Sequence, residues 1–291
     1  MPTSAHLRIS ALVKPQPQHG EWVRCFTAPN PGPMTGPGTN TWVLGKGPFV
    51  VIDPGPNHPG HLESLYLACN KQIAFIALTH THRDHAAGAA ALRELSGAPV
   101  LGMTLTPDDG HQELSALPLI PVTKLSDFEV PGVTLTAVAT PGHVANHLCF
   151  YHLESQMMFV GDHMMNGSTV VIIPPAGHMG SYMASLSALL QYPMEAIGPG
   201  HGDVIIEPKL EIERLISHRM TRERKVLSTL SEQWSTLDQI LDRVYDDINP
   251  MLLPIAKLSL EAHLIKLCED GRARKQDGEH WLLGSDTWRL N

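Results

Sequence analysis

The sequence lacks several features that define well-known classes of protein. It contains no run of about 18 apolar residues, so we expect no membrane-spanning helix and no membrane partner. Residues 1–20 lack the apolar segment of a signal peptide. Only four cysteines occur (Cys25, Cys69, Cys149 and Cys268), and the absence of a C-x-x-C pair argues against a zinc knuckle or a disulfide scaffold. These absences together predict a cytoplasmic protein.

The sequence also has no excess of basic residues. Its 21 Lys and Arg stand against 29 Asp and Glu, a net charge of −8 at pH 7, which does not favour non-specific binding to polyanions. A nucleic-acid substrate is still compatible with this charge, because a pair of divalent cations adds about four local positive charges. With 291 residues, of which 43% are hydrophobic, the chain fits one large globular domain and a small one.

Histidine is abundant, with 17 residues, and one segment concentrates it. Residues 79–85 read THTHRDH and follow the strand-like segment 72–78. His80 and His82 are two positions apart, so their side chains face the same way in extended backbone. Asp84 and His85 follow at the start of a predicted helix over 86–97. Histidine nitrogens and carboxylate oxygens without thiolates suit zinc, manganese or iron.

Further potential ligands stand where other apolar segments end. Asp53, His143, Asp162 and His201 each follow such a segment. Loops at one edge of a sandwich can bring such side chains together. The four side chains of residues 80–85 crowd the shell of a single ion, so two divalent ions sharing the set are the easier arrangement. Asp162 has two carboxylate oxygens and is a candidate bridge.

The role of His147, four residues after His143, stays open at this point. It can contact substrate, orient a ligand from behind, or belong to the core. If His147 faces the cleft, it can donate to an oxyanion or protonate a leaving group. Asp84 can hold the attacking water as well as ligate a metal. We therefore take Asp84 and His147 as the candidate catalytic residues, and we expect no site role for His163 or His178.

The pattern changes after about residue 205. Amphipathic helices are predicted over 211–230, 236–248 and 255–271, with Thr236 as an N-cap, followed by a hairpin over 272–283 about Asp277 and Gly278. This order is typical of a winged helix-turn-helix domain. Residues 211–291 hold 12 Lys and Arg against 14 Asp and Glu, which does not favour DNA binding. A lid over the active site or a surface for a homodimer fits better.

The ligand motifs resemble those of the metallo-β-lactamase superfamily. THTHRDH matches its H-x-H-x-D-H hallmark, and His143, Asp162 and His201 match its later ligand motifs in order. The resemblance implies an α+β fold, an αββα sandwich over residues 1–210 with a small winged-helix domain over 211–291. It also implies two divalent ions, preferably zinc, with manganese or iron as alternatives. His80, His82 and His143 would hold one ion, Asp84, His85 and His201 the other, Asp162 would bridge them, and Asp53 would support the site from behind.

A narrower resemblance links the chain to the lactamase-B-like protein 2 group. GPGTNTWVLG, TPGHVANH, PGHGDVI and ISHRMTRERKVL, together with the winged-helix tail, carry it. The resemblance implies a hydrolase with two leading substrates. One is an RNA phosphodiester, which an endoribonuclease cleaves, and the other is a small acyl thioester, which glyoxalase II hydrolyses. The predicted cleft walls are the loop 28–40, the segment 164–180 and the C-terminal domain. Residues 28–45 and 163–180 contain no Lys or Arg for phosphates. A DNA-binding regulator acting through the winged helix is the non-enzymatic alternative.

Overall fold

The computed structural model describes residues 22–276 and 286–291, apart from residues 106, 108, 116–119 and 123–125. The strands in this part of the chain are β1 (Val23–Thr27), β2 (Asn40–Leu44), β3 (Phe49–Ile52), β4 (Ile73–Ala77), β5 (Val100–Gly102), β6 (Ile120–Pro121), β7 (Ser126–Val130), β8 (Val133–Ala139), β9 (Leu148–His152), β10 (Met157–Gly161), β11 (Ala196–Pro199), β12 (Ser235–Thr236), β13 (Ala273–Gln276) and β14 (Thr287–Leu290). The helices are α1 (Pro59–Ala68), α2 (Arg83–Ala86), α3 (Ala89–Ser96), α4 (Met179–Leu189), α5 (Pro208–Thr229), α6 (Leu237–Val244) and α7 (Leu253–Glu269), with a 3-10 turn over Pro250–Leu252.

Two mixed sheets form the larger part of the molecule. The first has the strand order β1-β2-β3-β4-β5-β6, antiparallel from β1 to β3 and parallel from β3 to β6. The second has the order β11-β10-β9-β8-β7 and is antiparallel except for the β10–β11 pair. The apolar strands β3 and β9 are buried at every position, as expected for strands that are covered on both faces.

The two sheets pack face to face, and helices cover their outer faces. Trp42 of the first sheet and Phe159 of the second meet between them, with ring centroids 5.2 Å apart. Helices α1 and α3 pack on the outer face of the first sheet through Leu62 and Leu92. Helices α4 and α5 pack on the second sheet. These layers confirm the predicted αββα sandwich.

The C-terminal helices and the small β12-β14-β13 sheet have a core of their own. Trp288 of β14 is fully buried there with apolar residues of α6 and α7. Thr236 caps α6 in a capping box with Gln239, as the sequence predicts. Strand β13 pairs with β14, and Gln276 lies opposite Thr287. The partner strand of β13 therefore lies beyond residue 283, where the predicted hairpin ends. The predicted turn at residues 277 and 278 lies outside the described residues.

Helix α5 joins the sandwich to the C-terminal part. Ile212 and Leu215 near its start pack into the core of the sandwich, whereas Val226 near its end packs into the C-terminal core. The predicted domain boundary at residue 210 therefore falls within the first turn of one continuous helix, and the division into residues 1–210 and 211–291 stays a prediction. Among the helices that the structure describes, none combines the length and apolarity needed to cross a bilayer.

Candidate metal centre

The segments that follow β4, β8, β10 and β11 bring the predicted ligands together at one edge of the sandwich. Their ligand atoms form three groups, each within 4.8 Å: His80, His82 and His143; His80, His85 and Asp162; and Asp84, His85 and His201. His80 belongs to the first two groups and His85 to the last two. The groups therefore form one continuous cluster that contains all seven residues predicted from the sequence as ligands.

Asp162 lies between the two ends of this cluster. Its Oδ1 is 3.3 Å from His85 Nε2 and 3.3 Å from His201 Nε2. Its Oδ2 faces the other end, 3.9 Å from His143 Nε2. The two oxygens of one carboxylate are thus directed toward different groups of histidines, which is the arrangement that a bridging ligand needs.

Asp53 supports the cluster from the end of β3. Its Oδ1 accepts a hydrogen bond from the Thr79 amide (2.8 Å), and its Oδ2 accepts from the Thr79 hydroxyl (2.7 Å). Because this hydroxyl donates to Asp53, its oxygen accepts from His80 Nδ1 at 3.0 Å. Oδ2 of Asp53 also lies 2.9 Å from His85 Nδ1. One buried carboxylate thus fixes the ring orientation of two predicted ligands, as outer contacts do at metal sites.

The remaining histidines are held in the same manner. His82 Nε2 lies 3.0 Å from Asp109 Oδ2, His143 Nδ1 donates to the Val171 carbonyl (2.9 Å), and His201 Nδ1 donates to the Gly38 carbonyl (3.2 Å). Each ring uses one nitrogen for this outer contact and keeps the other for the cluster. Sequence reasoning missed Asp109 and both carbonyl groups.

The charges within the cluster are strongly coupled. Burial opposes protonation of His201, but the negative charge of Asp162 and the close approach of the Asp162 and Asp84 carboxylates raise its pKa to about 9. Burial likewise opposes ionisation of Asp162, but the positive charges of His85 and His201 hold its pKa well below the usual range. The carboxylates are therefore ionised at neutral pH. Divalent cations can replace the protons of these histidines, since metal binding releases protons from its ligands.

Buried polar atoms that lack a hydrogen-bond partner indicate whether this site fits metal ions. His80 Nε2, His85 Nε2 and Asp162 Oδ1 are buried and make no hydrogen bond within the described part of the chain. Buried polar atoms are normally paired, and nitrogen and oxygen donors of this kind suit zinc, manganese or iron. The backbone passes close by at Gly200, where a Cβ would lie 2.6 Å from the His85 ring. The residues present therefore fit divalent metal ions.

His147 lies behind the cluster. Its side chain is fully buried, its Nδ1 is 2.9 Å from the Thr140 hydroxyl, and its ring stacks on His80 with centroids 5.2 Å apart. Burial, followed by the nearby charges of His163 and His143, keeps the pKa of His147 well below its usual value, so the ring is neutral. This position favours the support of His80 over contact with substrate. The catalytic role of His147 stays a prediction.

An αββα sandwich with a cluster of histidines and carboxylates at its edge defines a class of hydrolases, and the comparison with known proteins agrees. Residues 34–201 match the metallo-beta-lactamase superfamily, and residues 236–281 match the beta-lactamase associated winged helix domain. The chain belongs to the metallo-beta-lactamase superfamily and is a hydrolase-type enzyme with a C-terminal winged-helix domain.

Curated relatives extend over most of the chain. The beta-lactamase-like protein 2 homolog of Caenorhabditis elegans is 31% identical over 99% of this chain and 96% of its own length. The atrochrysone carboxyl ACP thioesterase dmxR1 of Cryptosporiopsis sp. is 30% identical over 84% of this chain and 78% of its own length. Thioesterase pkgB of Emericella nidulans is 34% identical over 71% of this chain and 58% of its own length. The resemblance to the lactamase-B-like protein 2 group is thereby confirmed.

Solved structures share the fold. A metallo-beta-lactamase family protein from Thermus thermophilus superposes with a TM-score of 0.74 at 19% identity, covering 92% of this chain and 98% of that chain. TTHA1623, crystallised in a di-iron-bound form, has a TM-score of 0.52 at 28% identity, covering 63% of this chain and 96% of its own. The first likeness shows the fold alone.

Proposed function

We propose that the protein hydrolyses acyl thioesters with the help of two divalent metal ions. The observation that carries this proposal is the continuous cluster of seven ligand side chains. In the proposal His80, His82 and His143 hold one ion, Asp84, His85 and His201 hold the other, and Asp162 bridges them. Zinc is the preferred metal, and manganese and iron are alternatives because the donor set suits all three.

Two divalent ions in such a site supply hydroxide at neutral pH and polarise the substrate oxygen. The chain contributes a hydrogen-bond acceptor beside them. Asp84 is the more exposed of the two carboxylates in the cluster, with 30% of its side chain accessible, against 11% for Asp162. Burial opposes ionisation of Asp84, but the charges of His85 and His201 lower its pKa, so it is ionised and can hold the attacking water by a hydrogen bond.

Thioester hydrolysis balances without any further reactant. The water oxygen forms a new bond to the carbonyl carbon, the carbon–sulfur bond breaks, and the thiolate leaves and takes up a proton. Two relatives carry the name thioesterase, one of them for an ACP-bound acyl group, which supports an acyl thioester as the substrate class. The segments 28–45 and 163–180 support it too, since they contain no Lys or Arg and expose Met34 and Ile173.

The contacts of the basic residues in the C-terminal part do not favour a nucleic-acid ligand. Arg222 pairs with Asp247 at 3.1 Å, Lys225 pairs with Asp246, and Lys266 on α7 lies 3.0 Å from Glu223. Their charges are therefore compensated within the protein and are less available to phosphates. RNA cleavage is therefore an alternative outcome of the assay that tests the thioester proposal.

A parallel assay tests this proposal. We expect the purified protein to hydrolyse an S-acyl-N-acetylcysteamine thioester, to lose this activity after chelation and dialysis, and to regain it with zinc, manganese or iron. S-lactoylglutathione, a lactone and single-stranded RNA serve as the other substrates. Cleavage of RNA without thioester hydrolysis would contradict the substrate class. Thioester hydrolysis that survives complete removal of metal would contradict the metal dependence.

A further inference from the structure

We propose that Arg219 of α5 is a positioning residue for the metal centre, through which this helix holds in place the segment between β10 and α4, which carries Asp162 and the carbonyl partner of His143. The inference rests on the metal ligands proposed above, in particular His143 and Asp162. It concerns a residue that lies outside the matched superfamily region, which ends at His201.

The first contact reaches the loop that carries the carbonyl partner of His143. Arg219 donates a hydrogen bond through one guanidinium nitrogen to the Val170 carbonyl. The next carbonyl along the chain, that of Val171, accepts from His143 Nδ1 at 2.9 Å. Because the two carbonyl groups are adjacent in the chain, a shift of residue 170 moves the group that orients the His143 ring.

The second contact is a column of rings that ends at the cluster. The rings of His80 and His147 are 5.2 Å apart, those of His147 and His163 are 5.6 Å apart, and those of His163 and Tyr182 are 4.9 Å apart. The Arg219 guanidinium lies over the Tyr182 ring at 5.4 Å and closes the column. The Tyr182 hydroxyl donates to the carbonyl of His163, the residue directly after Asp162. Arg219 is thus connected to the beginning of the same segment, next to Asp162, as well.

The environment of the buried Arg219 side chain indicates that this residue has a role other than ion pairing. Only 4% of the residue is exposed, its Nε makes no hydrogen bond among the described residues, and no described carboxylate lies within ion-pair distance of it. A buried charge without a carboxylate partner is costly. A planar guanidinium, however, can bond a carbonyl and stack on a ring at the same time, which an ammonium or an apolar side chain does not do.

Arg222 offers a matched control one turn further along the same helix. It also donates to a carbonyl, that of Val244 (2.8 Å), and it also lies over a tyrosine ring, that of Tyr245 (4.3 Å). Both of these partners lie in the C-terminal part. Replacing Arg222 therefore removes the same kinds of contact, together with the ion pair to Asp247, without touching the segment that carries Asp162.

The test compares Arg219→Met with Arg222→Met in the full chain. Affinity for zinc is measured by competition with a chelating dye, and the visible spectrum of the cobalt-substituted protein reports the ligand geometry. We expect Arg219→Met to weaken zinc binding about tenfold, the lower end of what loss of an outer contact costs at metal sites, and to change the cobalt spectrum. Arg222→Met should keep wild-type affinity and spectrum. If Arg219→Met does not fold, Arg219→Gln is measured in its place with the same expectation.

Two results would overturn the inference. The first is wild-type zinc affinity and an unchanged cobalt spectrum in a folded Arg219 variant. The second is an equal loss of affinity in Arg222→Met, because general loosening of the C-terminal part would then explain both variants. Absence of zinc binding in the wild-type protein is a different outcome, since it contradicts the proposed metal centre itself.

Discussion

Replacing Asp162 with alanine is expected to lower thioester turnover more than about 100-fold and to remove at least one metal equivalent. The reason is its position between the two ends of the cluster, with Oδ1 at 3.3 Å from both His85 and His201 and Oδ2 directed toward His143. Loss of an outer contact at a metal site costs about 10–100-fold in affinity or activity, and loss of a direct bridging ligand should cost more. Metal analysis and steady-state turnover of the purified variant measure both effects.

Asp203→Ala is the matched control for this variant. Asp203 lies two residues after His201 and is exposed, so the substitution removes a carboxylate from the same edge of the molecule without entering the cluster. We expect wild-type metal content and turnover from it. Full activity with two bound metal equivalents in Asp162→Ala would show that the bridge is wrongly assigned.

Replacing Asp53 with alanine is expected to lower the free energy of unfolding by about 3–5 kcal/mol, the cost of breaking a buried charged pair from one side. The substitution leaves the Thr79 amide, the Thr79 hydroxyl and His85 Nδ1 without their acceptor, and each buried unsatisfied group costs about 1–3 kcal/mol. Residue 53 also has a φ of 51°, which an alanine adopts only with strain. Urea denaturation in the presence of a chelator measures the effect without any contribution from bound metal.

Asp53→Asn distinguishes the loss of the hydrogen-bond acceptors from the backbone strain that alanine introduces at residue 53. Asparagine tolerates a positive φ and keeps one carbonyl oxygen, so we expect a smaller loss of stability than in the alanine variant. An alanine variant that unfolds at the urea midpoint of the wild-type protein would contradict the supporting role of Asp53.

The predicted ligands could be found from the sequence because four of them come soon after an apolar segment and the other three follow His80 in one short motif. His80 follows β4, Asp162 follows β10 and His201 follows β11 within a few residues. The local sequence pattern therefore predicts that they lie at strand ends. The sandwich brings those strand ends to one edge. The structure brings all seven predicted ligands together as this reasoning expects. Their role as ligands stays a proposal.

Apart from Asp53, the outer contacts of the histidines could not be found from the sequence. The carbonyl groups of Val171 and Gly38 belong to the backbone, and no residue type indicates that a carbonyl will accept from a histidine ring. Asp109 lies in an irregular loop, 27 positions from its partner His82, and nothing in its neighbourhood distinguishes it from other acidic residues. Contacts of this kind depend on the packing of segments distant in the chain.

Two predicted elements differ from the structure for packing reasons. The helix expected over 86–97 begins only at Ala89, as α3, and the short helix α2 precedes it. Between the two, the Gly88 amide donates to the Gly55 carbonyl at 2.9 Å instead of to a helix carbonyl. The partner of β13 is β14 instead of a strand ending at residue 283. Pairing with β14 buries Trp288 completely.

Anomalous diffraction from crystals grown with zinc tests the central claim most directly. Two strong peaks are expected at the edge of the sandwich, one beside His80, His82 and His143 and the other beside Asp84, His85 and His201, with the Asp162 carboxylate between them. Crystals soaked with zinc that show no peak at this edge, or peaks only at histidines elsewhere on the surface, would contradict the claim.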